Sequence, residues 1–451
     1  MQIGVEHIST PSYISNKKMK KTVIIFLSLL IIALVSWKIY DYKINRSEYS
    51  TGIYESDLNY IRNTNSSADR FITTLTEQLI ENPDNSKTLT KLGAAYIQKA
   101  RESNDPEFYS LAEDVLKRAI NNQNDNFLAM AELGSVNLSR HNFKEALVLS
   151  QKALELNPYN SYSYGVLVDA QIELGMYDEA IENVQKMVNL RPDLSSYSRV
   201  SYIRELKGDL QGAVDAMKLA VTAGSPEAEN TAWCRVQLGN LFYNKGDVET
   251  AEKIYQFAIK DYPDYVHGYG GMAKIRLFQN NYHESIEYYN KALEKNSLPE
   301  YLIGLGDVYT LKEDKVKAEE QYQKVKFMIT MFKEKGVDTD LELALFNADH
   351  DRNLKESYND AGKSLENGSK SIKNYHILAW TSFKLGNFEE AEKNILEALR
   401  LGTKDPLMYY HAGKIYEKTG NKEKAKEFLD FALKINPFYS KLYADDQSKP
   451  E

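Results

Sequence analysis

Residues 34 positions apart repeat in kind along most of this 451-residue chain. Gly386 and Gly420, Ala391 and Ala425, and Ala398 and Ala432 form such pairs, as do Ala146 and Ala180, and Pro158 and Pro192. A fixed period of this length means that one supersecondary unit is stacked on itself many times, so a prior of roughly 150 residues per domain does not apply. The clearest unit, VQLGNLFYNKGDVETAEKIYQFAIKDYP, sets Leu238, Gly239, Phe242, Gly246, Ala251, Tyr255, Ala258 and Pro263 in two helical stretches broken near Lys245-Gly246-Asp247. Gly239 and Ala251 have almost no side chain, so two antiparallel helices cross closely there, and Phe242 and Tyr255 fill the space beside the crossing. Ala258 serves the same purpose towards the next unit. Gly246 supplies permissive backbone after the first helix, and Pro263 stops the second. One such hairpin cannot bury both of its faces, so stacking is obligatory.

These positions resemble the tetratricopeptide repeat (TPR), whose pattern is W/Y-x2-LG-x2-Y followed by a small residue, an aromatic, Ala and Pro. The pattern recurs at Leu133, Gly134, Ala146, Ala153 and Pro158, at Tyr164, Leu167, Gly175, Ala180 and Pro192, and at Leu305, Gly306, Tyr309, Ala318 and Tyr322. It returns at Tyr409, Gly413, Tyr416, Gly420, Ala425, Ala432 and Pro437, and a first unit with Leu92, Gly93 and Tyr96 carries an insertion around Asn104-Asp105-Pro106. The resemblance implies an all-α TPR superhelical solenoid of about nine to ten helix-turn-helix units over residues 86–439. The phrases ENTAWCRVQLGNL, LPEYLIGLGDVY, DLELALFNADHD and LGTKDPLMYYHAGKIY are similar to a group of bacterial membrane-anchored or exported TPR proteins without established activity. That likeness implies a bacterial source and adds nothing about substrate. Between Asp340 and Lys373 the small positions are loosely filled by Ala344, Ser357 and Ala361, and the long helix Val325 to Lys335 precedes them, which predicts a kink or change of phase.

Ahead of the repeats, Thr22 to Trp37 form an uncharged apolar run preceded by Lys17, Lys18, Lys20 and Lys21. Sixteen helical residues rise about 24 Å, a little short of a ~30 Å hydrocarbon core, and Trp37, Ile39 and Tyr40 extend the span if Lys38 snorkels. Residues 17–40 therefore read as a signal anchor or transmembrane segment behind a short tail, 1–16, with Met1 or Met19 as its start. A cleaved and exported form is the alternative, although Leu34 and Ser36 fit an A-x-A cleavage site badly. The lysines before the run outnumber Lys38, Lys43 and Arg46 after it, which sets the bulk of the chain outside the cytoplasm. Residues 41–67 read as a polar tether and 68–85 as a leading helix that buries Phe71, Ile72, Leu75, Leu79 and Ile80. Residues 440–451 read as a polar tail.

The chain carries 64 acidic and 56 basic side chains, a net charge of −8, with no basic stripe to displace counterions from phosphates. Nucleic acid is thereby excluded as a partner. The single cysteine, Cys234, excludes an intramolecular disulfide and any multi-cysteine zinc site. Ser357 to Ser364 fall one glycine short of a phosphate-binding loop and lie in a helical context. Asp349, Asp351 and Asn353 match the first ligands of a calcium loop, but Leu354 replaces the turn glycine and Asp360 the bidentate Glu. Hydrolase elbows and dinucleotide loops are absent. An enzyme, a metal and a cofactor are accordingly not expected.

In the TPR family the first helix of each unit lines a concave groove. Residues at offsets 2, 5, 9 and 12 share one face of that helix. Counting from Ala232 gives Trp233, Val236, Asn240 and Tyr243, and neighbouring units contribute Tyr162, Asp169, Tyr202, Glu205, His267, Lys274, Glu300 and Asp307. A carboxylate clamp of the kind found in chaperone-binding TPR domains is not implied, because Val236 occupies the lysine position. The aromatic and acidic character of the face predicts capture of a basic or polar protein or peptide ligand. The chain thus reads as a membrane-tethered, non-enzymatic interaction scaffold at the bacterial envelope. A structural subunit that oligomerises, and a polysaccharide- or polymer-export factor stacking sugars on the groove aromatics, are the alternatives.

Overall fold

A computed structural model describes residues 68–437, and every regular element among them is an α-helix. The run Thr22 to Trp37, the tail before it, the tether and the polar C-terminal tail lie outside the described residues. Among the described residues no helix is long and apolar enough to cross a membrane.

Twenty-one helices form one leading helix and ten hairpins. The leading helix, α1, spans Ala68–Glu81. Units 1 to 5 comprise α2 and α3 (Ser86–Ser103, Glu107–Asn122), α4 and α5 (Phe127–Ser139, Phe143–Leu156), α6 and α7 (Ser161–Glu173, Tyr177–Leu190), α8 and α9 (Leu194–Leu206, Leu210–Ala223), and α10 and α11 (Glu229–Asn244, Val248–Asp261). Units 6 to 10 comprise α12 and α13 (Val266–Phe278, Tyr282–Lys295), α14 and α15 (Pro299–Leu311, Lys315–Glu334), α16 and α17 (Asp340–Asp349, Leu354–Glu366), α18 and α19 (Ile372–Lys384, Phe388–Leu399), and α20 and α21 (Pro406–Lys418, Lys422–Ile435).

A short punctuation builds each hairpin. The first helix ends on a left-handed residue and an Asp or Asn caps the second, as in Gly208-Asp209, Gly246-Asp247, Asn280-Asn281 and Gly420-Asn421. The cap side chains accept from Gly212 N, Thr250 N, Glu284 N and Lys424 N, which satisfies donors that a helix start leaves open. At the crossings Ala251 and Tyr255 are fully buried, and a Cβ on Gly239 would stand 2.4 Å from the Tyr255 ring. The aromatic therefore occupies the volume that the glycine vacates. In α1, Leu75 is buried and Phe71, Ile72 and Leu79 pack beside it on Leu89 and Leu92. Ile80 departs from the expected face: it is 77% exposed and lies outside that cluster.

The solenoid coils so tightly that its second turn rests on its first. Asn296 Nδ2 donates to Ser103 O at 3.0 Å, Ser369 Oγ to Glu173 O at 2.8 Å, and Asn436 Nδ2 to Tyr243 O at 3.0 Å, across separations of 193, 196 and 193 residues. Asp338 N donates to Arg140 O at 3.4 Å, and Thr403 Oγ1 donates to Leu206 O. In each contact a carbonyl at the end of a first helix in units 1 to 5 meets a loop that follows a second helix in units 6 to 10. One superhelical turn is thus just under six repeats. Apolar packing supports the seam: Ile172, Tyr177 and Leu206 share a buried cluster with Ile372, Ile395 and Met408, and the Tyr177 hydroxyl accepts from Ile372 N at 2.8 Å.

The poorly matched unit between Asp340 and Lys373 keeps its hairpin, as α16 and α17. The departure from the repeat lies before it, in the 20-residue α15, whose end carries Lys335 to Glu107 at 2.8 Å across the seam. The insertion of unit 1 is what meets it, because Asp105 lies in that loop and Glu107 directly follows it.

Gly175 and Gly208 have φ of +77° and +75°, and a Cβ on either would stand 2.3 Å from a carbonyl of the next turn, Lys370 O or Gly402 O. Gly386 has φ of +83° with nothing within 4 Å. An alanine at any of the three pays left-handed strain of roughly 1 to 2 kcal/mol, but only the first two also push the turns apart. Gly208→Ala is therefore expected to lower the melting temperature by several degrees more than Gly386→Ala in calorimetry, whereas equal losses would show that the seam is not formed in solution.

Candidate partner-binding cavity

The first helices of units 1 to 7 face inwards and enclose a cavity of about 1360 Å³, lined from Ala94 to Asp307. Tyr162, Asp169, Tyr202, Glu205, Trp233, Asn240, Tyr243, His267, Lys274, Glu300 and Asp307 all stand on its wall. Val236 does not. It is buried in the core beside Ala232 and Tyr255, and Gln237 takes the cavity-facing place. The inward stripe of α10 therefore runs through Asn230, Trp233, Gln237, Asn240 and Asn244, three or four residues apart as one helical face requires.

The wall residues differ in how much freedom they keep. Arg199 grips Asp169 with a two-point fork, Nε to Oδ1 at 2.8 Å and Nη2 to Oδ2 at 2.5 Å, and its third nitrogen donates to Ser195 Oγ at 2.6 Å. Asp307 accepts from the Tyr322 hydroxyl at 2.8 Å and lies 2.9 Å from His350 Nε2. Asn240 Oδ1 accepts from the Tyr255 hydroxyl at 2.7 Å. His267 Nδ1 lies 2.6 Å from the Tyr301 hydroxyl and 3.1 Å from Glu300 Oε1. Trp233 and Tyr202 line the cavity and remain 38% and 42% exposed.

The acidic groups expected on this face are partly taken up within the protein. Asp169 and Asp307 are engaged within the protein, and of the acids singled out beside the aromatics Glu205 alone is left with no ion pair among the described residues. Enclosure by the cavity wall, then repulsion from Asp405 across the seam, pushes its carboxyl up to about 7. Burial, then the neighbouring Glu173 and Glu205, raises the Tyr202 phenol well above its ordinary value. Glu173 is raised as well, first by burial.

Several wall groups were not singled out from sequence. Arg101 Nη2 donates to Glu229 Oε2 at 2.6 Å, joining unit 1 to unit 5 across 128 residues. Gln98 is 4% exposed with an unpartnered Oε1. Extending the stripe of α8 one step towards its N-terminus would have found Arg199. The pairing of Arg101 with Glu229 depends on how tightly the superhelix coils, for which the sequence carries no local signal. The acidic turn at Asp349 and Asp351 is spent on its own protein, through Trp380 Nε1 at 2.9 Å and Lys384 at 2.8 Å.

Repeat architecture and wall geometry together define a helical-repeat protein with an interior binding surface. Models of the tetratricopeptide repeat match residues 137–201, 234–265, 271–327, 372–401 and 407–439, so the chain carries tetratricopeptide repeats over those segments. It is similar to a TPR repeat-containing protein of Methanocaldococcus jannaschii, 23% identical over 311 residues that cover 64% of this chain and 53% of that relative. The match spans about half the length of that relative. Among solved structures it is similar to the APC/C hetero-tetramer Cut9-Hcn1 (17% identity, TM-score 0.49, 88% of this chain and 70% of that one). It is also similar to pilF of Pseudomonas aeruginosa (17% identity, TM-score 0.37, 45% and 91%).

A carboxyl raised on folding stabilises the fold below its unfolded pKa, near 4.3, and that contribution is lost as pH rises through the folded value of about 7. Glu205→Gln removes the buried charge without changing shape. It is expected to stabilise the protein by on the order of 2 kcal/mol at pH 8 and to leave stability unchanged at pH 4, as read from urea unfolding at the two pH values.

Proposed function

We propose that this protein is a non-enzymatic interaction scaffold that holds a partner polypeptide inside its superhelix, tethered to the bacterial envelope by its N-terminal segment with the solenoid outside the cytoplasm. The observation that carries the reading is the cavity. Its volume exceeds the roughly 300–1,000 Å³ of a small-molecule site, and its wall combines exposed Trp233 and Tyr202 and half-buried Tyr243 with polar groups fixed by their own hydrogen bonds. Rigid aromatic rings offer large contact area for little lost rotamer freedom, so they dominate binding energies where they occur. Tethering rests on the apolar run Thr22 to Trp37 and the lysines before it.

A photoreactive amino acid placed at Trp233 is expected to cross-link one partner in cells, while the same group at Phe257, on the outer helix α11 and 56% exposed, is not. Equal labelling from both positions would remove the interior assignment. Trp233→Ala is expected to weaken partner binding by about 2 kcal/mol in titration calorimetry while helicity is kept. For the tether, protease added to spheroplasts should remove the solenoid, and a full-length chain surviving that treatment would place it in the cytoplasm.

A further inference from the structure

The cavity wall carries eight carboxylates against four Arg or Lys side chains. Its three arginines are already matched: Arg101 with Glu229, Arg191 with Asp193 at 2.9 Å, and Arg199 with Asp169. Of the remaining acids, Glu132 accepts from the Tyr162 hydroxyl, Glu300 is near His267 and feels Lys274, and Asp307 accepts from Tyr322. Among the described residues Glu205 has no such partner, and Asp405 of the following turn repels it. Glu173 has no ion pair within salt-bridge distance among the described residues, and Lys373 and His141 act on it from further away. Both acids line the cavity with Tyr202 and act on its phenol. Elsewhere on the same wall the buried Gln98 Oε1 is an acceptor without a donor. What the wall lacks is therefore positive charge and N–H donors, at a place where an aromatic face is ready to pack on a cation.

We propose that the occupant of the cavity is a cationic polypeptide segment, with a lysine or arginine head group seated on Tyr202 between Glu173 and Glu205. The inference rests on the reading of the cavity as a partner site and adds the chemistry of the partner. A cation at that place supplies the charge that Glu205 is missing, and the Tyr202 ring adds attraction of its own through its face. An acidic segment meets unpaired carboxylates and is rejected.

The test uses the full-length chain in detergent with hexalysine and hexaglutamate as probes, binding being read by titration calorimetry. Hexalysine is expected to bind, and Glu205→Gln and Tyr202→Ala each to weaken it at least tenfold. Glu249→Gln, on the exposed side of α11, should leave it within twofold, which separates the site from diffuse attraction to a chain of net charge −8. Circular dichroism checks that all three variants keep their helices. Binding of hexaglutamate as tight as that of hexalysine, or hexalysine binding indifferent to Glu205 and Tyr202, overturns the proposal. If hexalysine fails while the Trp233 cross-link persists, the cationic class falls and the interior site stands. If both fail, the interior reading falls with it.

Discussion

Everything that distinguishes this molecule from an open ribbon of helical hairpins depends on the seam between its two superhelical turns. The contacts there are modest one by one: an amide or hydroxyl from a loop meeting a carbonyl at the end of a helix. Such carbonyls are the groups a helix leaves unsatisfied, so the second turn completes the first where water would otherwise do so. Their regular recurrence in five successive units makes them a continuous joint, with Tyr177, Ile372 and their neighbours as its apolar filling. The small residues at the helix crossings set the angle of each unit, and the seam is where those angles accumulate to closure.

Closure also decides what the inner face is. On an open groove Asp169, Glu205 and Asp307 would sit in water and act as a screened acidic patch. Inside the coil the same groups are surrounded by protein, and each has been either paired or left at a cost. Arg199 and the Tyr322 hydroxyl take up two of them, while Glu205 is pushed towards neutrality by its surroundings and by Asp405 of the following turn. The character of the cavity is thus a product of the coil as much as of the residues on it.

Most of the fold was legible in the sequence, because it is local. The glycine, alanine and aromatic positions report helix crossings within a hairpin, and the inward stripe follows from three- and four-residue spacing, so Tyr202, Trp233 and Tyr243 were found from sequence together with the rest of the face. A local count also misplaces a residue where two stripes meet, as at Val236, which packs against Tyr255 while Gln237 turns inwards. The seam was not legible, since nothing in a 34-residue pattern reports contacts nearly 200 residues apart. Its traces were present as irregularities. The extra residues around Asp105 and the overlong α15 break the repeat where the turns dock, and they read as defects until Glu107 and Lys335 are seen to meet.

The self-contact of the coil also changes how this chain is held together over time. An ordinary solenoid is one-dimensional: each unit answers only to its neighbours, and an end frays without consequence for the middle. Here the loop after Ser103 leans on Asn296, and the end of α10 leans on Asn436, so the first five units have their outer support supplied by the last five. During synthesis the early units emerge before the residues that complete them, and they wait as a half-built coil with an open rim. Loss of the final hairpin would in turn be felt at Tyr243, in the middle of the sequence and on the wall of the cavity.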